Sequence, residues 1–171
     1  MSNPFPRFVL LVCLLPLLAA HAWAERPLLA ETSQFRETGR YDEVEQRCRD
    51  WPRRYPGWVS CETLGRTAQG RPIRALVISK SGTLQPSARK TLPVMLVIGG
   101  THAGEIDGKD AGLLVMRSLL ASNDDRNPLR HLTVVFVPVF NVDGHENRGR
   151  YLRPNQNGPL EVGDRTTSQR I

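Results

Sequence analysis

Residues 93–98 (Pro-Val-Met-Leu-Val-Ile) carry no polar side chain, and 132–140 are nearly as apolar. Runs of that length and character mark strands buried on both faces. Between them, residues 110–122 space Leu113, Leu114, Met116 or Arg117, and Leu120 as turns of a helix, and 123–128 break the pattern. Strand, helix and strand of these lengths predict a right-handed βαβ unit, so the two strands should be parallel. Upstream, 41–50 has helical spacing, with Val44 and Cys48 one turn apart, and Pro52, Pro56 and Gly57 are expected to end that helix. Residues 58–64 and 73–79 read as two strands of a hairpin turning at 68–72. A surface loop follows at 81–91, with Gly82 and Pro86. The stretch 25–40 is mixed polar without a period and reads as a loose N-terminal segment. Residues 141–171 have little periodicity and read as a long loop region, where function often resides.

The first 24 residues stand apart. Arg7 precedes an apolar run at 8–20 that is short for a membrane span, and Ala22-Trp23-Ala24 has the small-x-small form of a cleavage site. This predicts a signal peptide (1–24) and an exported protein, periplasmic or secreted, with no stable membrane anchor. Val12 before Cys13 argues against a lipid anchor. The organisation expected is therefore 1–24 leader, 25–40 loose segment and 41–171 domain. Removing Arg7 with the leader takes the net charge from +6 to +5, and the excess is interleaved with acids. Nucleic-acid binding would need a denser basic stripe, so no nucleic-acid partner is expected. Export permits Cys48 and Cys61 to form a disulfide, with two separately buried thiols as the alternative.

Both apolar strands empty into polar clusters. After the first comes Gly99-Gly100-Thr101-His102-Ala103-Gly104-Glu105, and after the second Asn141-Val142-Asp143-Gly144-His145-Glu146. In open α/β sheets ligands bind at the carboxyl ends of strands, and parallel strands would bring these clusters to one edge. An imidazole and a carboxylate three residues apart can meet one metal ion from a short turn, and the glycines permit that turn. The motif is neither the helical two-histidine form nor its inverted counterpart, since position 106 is Ile. A catalytic zinc needs a third protein ligand. His131 precedes its strand and falls at the wrong edge, while His145 lies on the correct edge and stays open.

The combination of Gly-Gly-Thr-His102-Ala-Gly-Glu105, Asn141-Val-Asp143-Gly144, Arg150-Tyr-Leu-Arg153 and the Gly70-Arg71-Pro72-Ile73 turn resembles the zinc carboxypeptidase family over about residues 38–171. The resemblance implies an α/β fold, with a mixed, largely parallel sheet in an α/β/α arrangement, and one catalytic zinc. It implies His102 and Glu105 as metal ligands and Arg153 as the arginine that stabilises the oxyanion, with Arg150 as the fallback. It also implies a peptide or protein C-terminus as substrate. The family's substrate-carboxylate Asn-Arg pair, third ligand and general-base Glu would come after Ile171, so the chain reads as a fragment, inactive by itself. Two alternatives stay open: a zinc deacylase of N-acyl amino acids on a related fold, and a non-catalytic peptide-binding relative.

Overall fold

The structure is a computed structural model and describes residues 25–82, 84, 92–102, 104–149 and 162–163. The 1–24 leader, Arg150 and Arg153 lie outside the described residues, as does most of the 81–91 loop. The described elements are α1 (Leu29–Thr32), α2 (Asp42–Arg54), β1 (Val59–Arg66), β2 (Pro72–Ile78), β3 (Val94–Ile98), α3 (Asp107–Ala121), β4 (Thr133–Val137), α4 (Val142–Glu146), β5 (Arg148–Gly149) and β6 (Val162–Gly163). A 3₁₀ turn, Pro128–Arg130, precedes β4.

Four strands form one mixed sheet in the order β1-β2-β4-β3. β1 with β2 and β2 with β4 run antiparallel, and β3 runs parallel to β4, with Ile98 opposite Val137. The helix between β3 and β4 makes this parallel pairing possible, because a parallel crossover needs a long connection. Leu76, Ile78, Val134 and Phe136 share one face, which packs with Trp51 of α2 and Leu113, Met116 and Leu120 of α3 into the main core. α3 comes close to the sheet at Gly112, where any added Cβ would overlap the ring of Phe136. Cys48 and Cys61 are joined by a disulfide that ties α2 to β1.

Three expectations change. α2 runs through Pro52 to Arg54 rather than stopping before it. Proline removes one helical hydrogen bond, but Trp51 is fully buried and donates its indole N–H to Glu25 at 2.8 Å, which holds the last turn against the core. The segment 25–40 is not loose. Leu28, Ala30 and Thr38 are buried, and Glu25 pairs with the buried Arg47 at 3.3 Å. An irregular segment shows no period because neighbouring residues bury themselves at unrelated angles. Finally, the described residues do not cover β3 on both faces: Val94, Met95, Leu96 and Ile98 are 48–60% exposed. It lies at the end of the strand order, with β4 as its neighbour among the described residues. An apolar run reports the capacity to be buried, and neighbours decide the outcome.

Candidate metal and substrate loops

Two loops leave the carboxyl ends of β3 and β4 and are stitched together by their backbones. Phe140 N–H donates to Gly99 O and Asn141 N–H to Gly100 O, each at 2.9 Å. The two clusters singled out in the sequence therefore share one edge, as parallel pairing requires. Gly100 and Gly104 have φ of +57° and +86°, values that suit glycine. Gly99 serves differently: a Cβ there would collide with Pro138 O and with Gly108, so its smallness lets α3 start against the end of β3.

On this turn His102 Nδ1 and Glu105 Oε2 stand 3.3 Å apart, with side chains 35% and 49% exposed. A tetrahedral zinc with bonds of about 2.0–2.2 Å holds its ligand atoms roughly 3.4 Å apart, so this donor pair has the right chemistry and separation for one ion. Among the described residues no third His, Cys, Asp or Glu completes a group of three. His131 sits before β4, at the opposite end of the strand. His145, which the sequence left open on the correct edge, is buried within α4 and is 3% exposed. Burial, then the charges of Lys109 and Arg148, push its pKa from 6.5 down to about 3. Its Nε2 lies 3.1 Å from Arg148 and 3.9 Å from Glu146 Oε1.

The loop after β4 is held from the hairpin. Asn141 caps α4, its side chain accepting from Gly144 N–H at 3.0 Å. The Asp143 carboxylate, fully buried, accepts from Thr67 Oγ1 at 2.8 Å, Gln69 N–H at 3.2 Å and Arg71 at 2.6 Å. The turn at residues 67–71 is thereby pinned to the loop leading towards residues 150–153. Sequence reasoning noticed Asp143 as part of a motif but not as this anchor. It also passed over Lys109, although Lys109 lies on the stripe of Leu113, Met116 and Leu120, where a cation must find buried partners.

The model of the zinc carboxypeptidase family matches residues 44–164. This chain belongs to the zinc carboxypeptidase family. It is 32% identical over 97 residues to the inactive metallocarboxypeptidase ECM14 of Saccharomyces cerevisiae, an alignment covering 54% of this chain and 22% of the yeast protein. It is 30% identical over 95 residues to the protein of the same name from Ajellomyces dermatitidis, covering 53% of this chain and 16% of that one. Among solved structures, carboxypeptidase A of Helicoverpa armigera superposes with a TM-score of 0.55 at 22% identity, over 65% of this chain and 26% of that one. Bovine thrombin-activatable fibrinolysis inhibitor, solved with a tick carboxypeptidase inhibitor, gives 0.53 at 23%, over 66% and 34%. These two likenesses concern the fold. The chain spans at most about a third of any of these four proteins, as the shares of 22%, 16%, 26% and 34% state.

Proposed function

We propose that the intact protein is a zinc-dependent metallocarboxypeptidase that removes residues from peptide or protein C-termini after export. The observation that carries this reading is the His102–Glu105 pair, 3.3 Å apart at the carboxyl end of β3 and stitched to the loop after β4. His102 and Glu105 would hold the ion, which when bound lowers the pKa of a water and polarises the scissile carbonyl. Arg153 would donate to the oxygen on which charge develops. A guanidinium suits that role because it stays charged and presents a planar fork of donors. The Ala22-Trp23-Ala24 pattern and the Cys48–Cys61 disulfide support export, since such bonds persist in oxidising compartments.

A second reading is a non-catalytic zinc or peptide-carboxylate binder, favoured by the word inactive in the names of both fungal relatives. The two readings part on the same experiment. In the intact protein, His102→Ala and Glu105→Ala should each lose most bound zinc. Arg153→Ala should keep zinc and lose about 10²–10³ in kcat with little change in KM. Arg153→Lys should recover little. A wild-type protein that binds zinc and cleaves no peptide supports the binder. Arg150→Ala collapsing while Arg153→Ala stays active would move the oxyanion role to Arg150.

A further inference from the structure

Lys109 is 1% exposed, lies in the first turn of α3 four residues after Glu105, and meets three oxygens, from the 25–40 segment, α2 and its own helix. Its Nζ lies 3.0 Å from Gly39 O, 2.9 Å from Glu43 Oε2 and 2.8 Å from Asp110 Oδ1. Arg148, from β5, reaches the same place. It donates NH1 to Thr38 O at 2.7 Å and NH2 to Gly39 O. Two cations, Lys109 of α3 and Arg148 of β5, thus share one carbonyl of the 25–40 segment. The spot is built tightly. Glu43 lies against the Cα of Gly39, leaving no room for any side chain there, and its other oxygen accepts from Leu29 N–H at 2.7 Å. His145, buried beside Arg148, adds no charge to the cluster at neutral pH, because burial and the neighbouring cations hold its pKa near 3.

A buried ion pair stabilises a fold little, and apolar side chains of equal volume often do as well. What Lys109 and Arg148 supply that an apolar residue cannot is direction. Lys109 ties the first turn of α3, which follows Glu105, and Arg148 ties β5, which follows α4, to one and the same oxygen. We propose that the Thr38–Gly39 carbonyls are a shared brace that sets the position of the His102–Glu105 turn relative to the segment after β4, with Lys109 and Arg148 as positioning residues. This rests on the zinc carboxypeptidase reading given above. The brace acts through backbone oxygens, so the identity of residues 38 and 39 matters only through their shape. Ligand supports of this kind typically change metal affinity or activity 10–100-fold when lost.

The test uses the intact protein and four variants, reading unfolding midpoint, zinc affinity by chelator competition, kcat and KM. Lys109→Met should weaken zinc roughly tenfold even where its midpoint equals that of wild type, because the first turn of α3, which follows Glu105, loses its tie to Gly39 O. Arg148→Lys, which cannot reach both carbonyls, should keep zinc within about twofold and lower kcat roughly tenfold at nearly constant KM. Gly39→Ala, which drives Glu43 off Lys109, should weaken zinc as Lys109→Met does, and carries the test if Lys109→Met does not fold. Folded Lys109→Met and Gly39→Ala proteins with wild-type zinc affinity would overturn the brace. So would losses that merely track the unfolded fraction. His102→Ala separates the two levels: zinc retained there sinks the metal reading itself, whereas zinc lost there and unchanged in Lys109→Met sinks only the brace.

Discussion

Asp143→Ala should detach the hairpin turn from the loop that leads to Arg153. The carboxylate is fully buried and serves three donors, Thr67 Oγ1, Gln69 N–H and Arg71, at 2.8, 3.2 and 2.6 Å. Alanine offers none of them an acceptor. Arg71 is 37% exposed and can turn to water, so its loss contributes little. The Thr67 hydroxyl is buried and the Gln69 amide is partly so, and an orphaned buried group costs about 1–3 kcal/mol. Together these give about 2–4 kcal/mol, a large share of the 5–15 kcal/mol that typically separates folded from unfolded states. Asp143→Asn keeps one acceptor oxygen but turns an amide towards Arg71, and should cost about half as much. Urea titration followed by fluorescence suits the measurement, because Trp51 is fully buried and leaves the core on unfolding. Arg71→Met takes the cation from a carboxylate that is fully buried but keeps its Thr67 and Gln69 donors, and should destabilise by about 1–3 kcal/mol. An Asp143→Ala protein within about 0.5 kcal/mol of wild type would refute the anchoring role.

Two further outcomes follow from the same packing. Reducing Cys48–Cys61, or replacing both cysteines by alanine, should lower stability by about 3 kcal/mol, as expected for opening a loop with a sequence separation of 13; an unchanged denaturation midpoint under reductant would contradict it. His145 should make stability fall in mild acid. The folded imidazole stays neutral down to about pH 3, while the unfolded one takes up a proton below about pH 6.5. Its contribution is complete above pH 6.5 and is lost as pH falls towards 3, at up to about 1.4 kcal/mol per pH unit. His145→Gln should flatten that part of the profile, and parallel profiles for the two proteins would exclude the effect.

Part of this protein could be read directly from residue order. The βαβ unit was legible because helix and strand periods are local: residues 110–122 carry the helical spacing of α3, and 93–98 carry the run that becomes β3. Parallel pairing followed from the length of the crossover, and with it the meeting of the Gly99–Glu105 and Asn141–Glu146 loops at one edge. The candidate donors His102 and Glu105 were visible because three residues separate them on one turn. Other features depend on residues far apart in sequence. Helix α2 continues past Pro52 because Trp51 meets Glu25, 26 residues earlier. The aperiodic segment 25–40 is fixed because Leu28 and Ala30 fill the core and Gly39 O receives Lys109, 70 residues away, and Arg148, 109 away. His145 becomes a neutral group because burial, and then the charges of Lys109 and Arg148, disfavour its protonated form. Local pattern encodes which backbone conformation is cheap and which side chains share a face. Which oxygen neutralises a buried cation, and which apolar strand is covered, is settled only when distant segments compete for the same space.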